Sequence, residues 1–291
     1  MSDNHKMNVG AGVLSSAVAL CLVILKLWAL VQTGALSIGA SLADSALDLS
    51  VSLGGLVAIL YAAKPADDDH AFGHSSAEDI AALGQSVFIA ISAVVIAFAA
   101  IMRLLRGMPP LAEEESGIAV MVISVALTLT LVLWQTRVAR KTGNRVIKAD
   151  RLHYLGDLIP GIGAILALWV SSTYGINSID AVVALAAAGV LVVGAFGIGK
   201  PAFDALMDRA APAEMIAGIE QLTAAWPGVH GYHDLKTRVA GSKVFVNLHI
   251  ELDGEQSLTA AHGIGAGLRR AILTKYPETD VIIHKDPVRK R

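Results

Sequence analysis

The sequence predicts an α-helical membrane protein, a six-transmembrane-helix bundle followed by a small α+β domain of order αββαβ. Composition is the first observation behind this. Of 291 residues, 54% are apolar and only 16% are charged, where soluble domains carry about 25% charged residues. The second is where the charges fall: long stretches hold almost none, while roughly the last eighty residues read as ordinary globular sequence. The third is a strictly alternating apolar run within that tail, Lys243–Leu252. This composition excludes a wholly soluble enzyme and a disordered chain. A net charge of −2 lacks the basic excess of a nucleic-acid binder, and a single cysteine, Cys21, excludes a disulfide scaffold or Cys-rich zinc module.

A helix needs about 20 mostly apolar residues to cross the hydrocarbon core. Six stretches qualify, at roughly 9–32, 38–62, 80–102, 116–136, 146–170 and 178–200. The first runs past Trp28 without a small-residue cleavage site, so it reads as a span and not as a signal peptide. Six spans leave both chain ends on one side. Arg137, Arg140, Lys141, Arg145, Lys148 and Arg151 cluster between spans four and five, while the loops after spans one and five have no Lys or Arg. The positive-inside rule makes that basic loop and both termini cytoplasmic, which in a bacterium means the inner membrane.

The domain boundary is expected at 207/208, after the composition changes beyond Pro201. Residues 213–226 have helical apolar spacing that Pro227-Gly228 stops. In the alternating run, Val244, Val246, Leu248, Ile250 and Leu252 share one face, and 230–239 reads as its hairpin partner across Ala240-Gly241-Ser242. A helix over 257–276 and a short strand over 280–285 follow. That order suggests a small sheet with helices on one face.

Ionisable groups inside the spans are the informative exceptions. Span two contains Asp44 and Asp48, and span five contains His153 and Asp157. Each pair is four residues apart and so lies on one helix face. A charge at bilayer depth costs about 2.5–3.5 kcal/mol, and the nearest basic residues, Lys148 and Arg151, belong to the cytoplasmic end of span five. Three carboxylates and one imidazole form a shell suited to tetrahedral zinc and acceptable to iron(II), cadmium or manganese. The bland alternative is a set of partly protonated groups locking helices together. An oxygen-rich shell allows exchange, and protons compete with the cation for its ligands, so transport is favoured over a structural role. Asp150, three residues before His153, either orients that imidazole or faces water at the membrane surface, and water is the expectation. Asp180 suits the start of span six through the helix dipole.

Two further clusters lie outside the spans. After span two, Asp67, His70 and His74 fit a three-ligand site on a turn that becomes helical, or else an acidic solvated loop with incidental histidines. In the tail stand His233, His249, His262 and His284, with Asp286 two residues past His284 on the same side of the last strand. His249 shares the polar face of its strand with Asn247 and Glu251. Ordinary exposed histidines are the alternative there, and His5 and His230 are read as surface residues.

Taken together, these residues resemble the cation diffusion facilitator family, and within it the bacterial zinc and ferrous-iron exporters. The likeness covers essentially the whole chain: six spans, the Asp-x-x-x-Asp and His-x-x-x-Asp pairs, the loop DDDHAFGHSSAE, and the tail segments WPGV, HDLKTR and DVIIHKDP. The resemblance implies a homodimer with a metallochaperone-like cytoplasmic domain that exports divalent cations (Zn2+, also Cd2+ or Fe2+) in exchange for protons. It assigns Asp44, Asp48, His153 and Asp157 to the transport site and Asp67, His70 and His74 to a loop site. It assigns His233, His249, His262, His284 and Asp286 to a paired-metal site at the dimer interface. One departure stands out. Relatives often carry a Lys two positions after the second loop His, pairing across the dimer with an Asp at the start of the tail. Here that position is Ser76, although Asp208 is retained, so apolar packing, tail metals or another pair must hold the dimer.

Two other classes compete. An intramembrane zinc hydrolase needs an open coordination position and a general base, typically His-Glu-x-x-His on a helix, and the sequence has no such motif. A membrane zinc sensor would account for the tail but leaves the four ligands of spans two and five unexplained.

Overall fold

A computed structural model describes residues 3–33, 36–106, 115–156, 158 and 179–288. Not every side chain within these ranges is described, and that of Asp44 is one outside them. The chain divides into two compact units, 1–203 and 204–291.

The described elements of the first unit are helices: α1 (Asp3–Thr33), α2 (Leu36–Ala62), α3 (Ala77–Arg106), α4 (Glu115–Thr142), α5 (145–156) and α6, which starts at Ile179 and ends at Leu206. Among the described residues, four segments are long and apolar enough to cross a membrane: Asn4–Trp28, Ser45–Ala62, Ala77–Met102 and Ala184–Leu206. Span five beyond residue 158 lies outside the described residues. Val193, Phe196 and Phe98 are exposed on the outer helix faces, as suits side chains solvated by lipid. The interior is lined instead by small residues such as Ala11, Ala19, Ala93 and Ala188, which let helix backbones approach closely. Gly194 of α6 shows how closely: a Cβ there would stand 2.7 Å from Leu152 of α5.

The basic segment between spans four and five differs from the expected loop. Helix α4 continues to Thr142 and α5 begins at 145, so Gly143 and Asn144 alone connect them. Most of the basic residues therefore project from helix ends. Arg145 pairs with Asp79, and Asn144 donates to Glu78 Oε1 at 2.9 Å, which ties this turn to the first turn of α3. Helix α6 likewise passes through Pro201, beyond its expected end.

The second unit orders α7 (Ala213–Ala224), β1 (Gly231–Ala240), β2 (Lys243–Leu252), α8 (Leu258–Lys275) and β3 (Thr279–Pro287). The sheet order is β1-β2-β3. β1 and β2 are antiparallel across the two-residue turn Gly241–Ser242, and β3 runs parallel to β2 after the α8 crossover. Ser257 caps α8, its Oγ accepting the Ala260 N–H at 3.2 Å. Val244, Val246, Leu248, Ile250 and Leu252 are buried against Ile219 of α7 and Leu268 and Ile272 of α8. Each fully buried side chain of this kind contributes about 1.5–3 kcal/mol. The opposite face of β2 carries Asn247, His249 and Glu251, but also Phe245, buried beneath the Arg238 guanidinium at 4.5 Å. β3 reaches Pro287, past its expected end at 285, which places Asp286 as well as His284 inside the strand.

Candidate metal centres

Two groups of ligand-type side chains converge among the described residues. The first is local. The backbone N–H of His70 donates to Asp67 Oδ1 at 2.7 Å, and the Gly73 N–H donates to the His70 carbonyl at 2.8 Å. Gly73 takes a φ of +83°, a conformation that costs other residues about 1–2 kcal/mol. The turn it permits brings His70 and His74 to opposite oxygens of one carboxylate: His70 Nδ1 lies 3.2 Å from Asp67 Oδ1 and His74 Nε2 lies 3.3 Å from Oδ2.

His74 is buried, with the Tyr61 ring edge-on at 4.7 Å. Its Nδ1–H donates to the Pro65 carbonyl at 3.2 Å, which fixes the ring so that Nε2 is the ligating nitrogen. The N–H of His70, with the two imidazoles, holds the Asp67 carboxyl below the usual carboxylate range. Two ligands at about 2.05 Å from a tetrahedral zinc stand about 3.3 Å apart, so this nitrogen–oxygen set suits such an ion.

The second group is built by strand register. His233 of β1 is paired with His249 of β2, and His249 with His284 of β3, so three imidazoles form a row across the sheet. Ring centroids are 5.0 and 4.6 Å apart, close to the interstrand spacing of about 4.8 Å. A bulge follows His233, with Asp234 at φ +50°. Asp286 lies two residues past His284, and all three imidazoles reach it. His249 Nδ1 and His233 Nε2 stand 2.9 and 3.3 Å from its Oδ2, and His284 Nε2 stands 3.2 Å from its Oδ1. The contact with His249 holds the Asp286 carboxyl below its usual range. His262 is exposed on α8, and its ring nitrogens are not among the ligand atoms that converge on Asp286. His230 is exposed and His5 of α1 is half-buried.

Within the first unit, His153 Nε2 of α5 lies 3.0 Å from Asp48 Oδ1 of α2. Both side chains are largely buried, and the rings of Phe88 and Tyr154 flank the imidazole at 5.7 and 5.5 Å. Asp44 is one turn before Asp48 on α2, but its side chain, and Asp157 entirely, lie outside the described residues.

Asp150 overturns its expected place in water. It is 3% exposed and accepts from Ser15 of α1 at 2.6 Å, Ser52 of α2 at 3.2 Å and Gln135 of α4 at 2.6 Å. The reason is helix packing: the short α4–α5 turn draws the start of α5 inside the unit, where a carboxylate must find donors. Sequence reasoning also passed over Lys26, whose Nζ donates to Ser45 of α2 at 2.7 Å. A lysine inside an otherwise apolar span was the available signal. Asp208 is engaged within its own unit, accepting from Arg238 at 3.1 Å.

The comparisons with known proteins bear on the whole chain. Residues 12–207 match the family of the cation efflux transmembrane domain, and residues 211–288 that of the cation efflux protein cytoplasmic domain. The chain is similar to the cation-efflux pump FieF of Cronobacter sakazakii, 40% identical over 285 residues that cover 98% of this chain and 94% of the relative. It is 40% identical to that of Klebsiella pneumoniae over 277 residues, 95% of this chain and 92% of the relative. Among solved structures, the metal-bound C-terminal domain of the CzcD transporter from Thermotoga maritima is 31% identical, covering 26% of this chain and 91% of that one, with a TM-score of 0.26.

Proposed function

The chain belongs to the cation efflux, or cation diffusion facilitator, family of transporters, and from that premise we propose that it is a proton-coupled antiporter exporting divalent cations from the cytoplasm. Zn2+ is the first substrate in this reading, with Cd2+ and Fe2+ as others. The observation that carries it is the Asp48–His153 contact of 3.0 Å between two helices of the apolar unit. A nitrogen and a carboxylate oxygen at that distance hold a proton between them when no cation is there, and an arriving cation must displace it. Asp44 and Asp157, each four residues from one member of the pair, complete a shell of three carboxylates and one imidazole. Its mixed donors favour zinc or cadmium over the all-oxygen preference of calcium and magnesium. Proton release on loading and proton return on unloading then couple the two fluxes.

In the same reading, residues 1–207 form the membrane domain and 208–291 a cytoplasmic domain that dimerises. The protein sits in a bacterial inner membrane with both termini cytoplasmic. Asp67, His70 and His74 hold a metal in the loop, and His233, His249, His262, His284 and Asp286 hold metal in the paired cytoplasmic domains. A sensor reading leaves the Asp48–His153 contact without a task. The test is zinc-driven proton flux in proteoliposomes, parent beside Asp157→Ala. Flux in the parent that disappears in the variant is the expected result. Zinc binding by the parent with neither metal nor proton flux would overturn antiport in favour of sensing.

A further inference from the structure

The buried hub around Asp150 joins four helices, and nothing in the ligand assignment uses it. Ser15, Ser52, Gln135, Asp150 and Tyr154 are each at most 3% exposed. Ser15 Oγ lies 3.0 Å from Ser52 Oγ. Ser15 and Gln135 donate to Asp150 Oδ2, both at 2.6 Å, and Ser52 donates to Oδ1 at 3.2 Å. A hydroxyl has one proton, so Tyr154 is the donor in its 2.9 Å contact with Ser52.

What matters is where these residues stand relative to the ligands. Ser52 is four residues after Asp48 on α2. Asp150 is three residues before His153 on α5, and Tyr154 is the next residue after it. The Ser52–Asp150 and Ser52–Tyr154 bonds therefore join the same two helices as the Asp48–His153 contact, about one helical turn away. A single contact fixes the separation of two helices but leaves them free to rotate about it. A second link one turn on removes that freedom, and this one consists of groups that do not leave with a cation.

Resting on the transport-site reading above, we propose that Asp150 is a positioning residue for cation binding: through Ser52 and Tyr154 it sets the rotation of α2 against α5 that holds Asp48 and His153 in register. Ser15 and Gln135 anchor the same carboxylate to α1 and α4. Ser15 also meets Ser52 Oγ at 3.0 Å and so belongs to the link between α2 and α5, whereas Gln135 steadies the carboxylate from α4 without joining those two helices.

That asymmetry supplies the test, zinc transport by the full-length chain in proteoliposomes with thermal unfolding measured in parallel. Ser52→Ala and Asp150→Ala are expected to raise KM for Zn2+ about tenfold or more, the scale on which outer partners of metal ligands act, with kcat changed much less. Asp150→Asn, which still offers Ser52 an acceptor, should restore most of the affinity. Gln135→Ala should lower thermal stability while leaving KM near the parental value. If Asp150→Ala does not fold, Ser52→Ala and Asp150→Asn carry the test. A parental KM in Ser52→Ala overturns the proposal. So does a KM shift in Gln135→Ala as large as that in Ser52→Ala, which would make the hub a general structural element. Asp48→Ala is run alongside. Zinc transport surviving there sinks the transport-site reading and this proposal with it, whereas loss of transport in Asp48→Ala with parental KM in Ser52→Ala sinks only the positioning role.

Discussion

The loop cluster and the sheet cluster offer similar donors around one carboxylate but are assembled by opposite means. Asp67, His70 and His74 lie within a single turn, whereas His233, His249 and Asp286 come from three strands spread between residues 233 and 286. The loop group is oriented by its own backbone: the His70 N–H on Asp67, the Gly73 turn, and the Pro65 carbonyl behind His74. The sheet group is oriented by ladder register, and a one-residue slip would send a strand's ligands to the other face. The carboxylate is shared differently as well. In the loop each oxygen meets one imidazole, and in the sheet Asp286 meets three. A local site can therefore lose a member and keep its frame, while the sheet site depends on one residue.

The largest expected effect follows from that dependence. Asp286→Ala should lower zinc affinity at the sheet site at least about 100-fold, beyond the upper end for losing an outer partner, and leave the loop site as it was. Zinc titration of the full-length chain in detergent micelles measures both. His284→Ala should cost less, because His233 and His249 share the other carboxylate oxygen. Equal losses in the two variants would show that Asp286 is not the hub of that cluster.

Next in size is a contrast inside the loop. His74 has a side chain 2% exposed and His70 one 51% exposed. Truncating His74 removes a ligand, opens a void beside Tyr61 and strands the Pro65 carbonyl. His74→Ala should thus weaken zinc binding and also destabilise the metal-free protein by about 1–3 kcal/mol. His70→Ala should weaken binding with little change in the metal-free melt. Matching melts would mean that burial gives His74 no structural role.

The same contrast explains what the sequence could and could not disclose. The loop cluster was legible because its spacing is local, and Asp48 and His153 stood out because i,i+4 spacing with a second ionisable residue marks a helix face. The histidines of the sheet were legible as residues but not as a row. Pairing His233 with His249 and His249 with His284 needs the two-residue turn and the register of a parallel strand joined through α8, and neither is encoded near the histidines. Asp150 was misread for a related reason. Its partners Ser15, Ser52 and Gln135 come from three other helices, and a serine or glutamine inside a span has no periodicity that names its partner. The basic stretch between spans four and five was legible as charge. Its compression into a two-residue turn was not, because helix ends are the least determined feature of an amphipathic pattern.

The smallest effect concerns acid, and here the clusters should behave alike. The Asp67 carboxyl is held below its usual range by the His70 N–H, and that of Asp286 by its contact with His249. A carboxyl depressed on folding stabilises the fold at pH values above its unfolded value, about 3.9, and loses that contribution as pH falls through the lower folded value. Because both groups are open to solvent, screening keeps the contribution small. In the metal-free full-length chain, Asp67→Asn and Asp286→Asn should therefore melt slightly below the parent at pH 5 and rejoin it once the pH has fallen below the carboxyls' lowered folded values. The sign is the informative part. A variant that melted above the parent at pH 5 would show that its carboxylate is held by register or turn geometry against an electrostatic cost, and the two ways of building a ligand cluster would then differ in energy as well as in form.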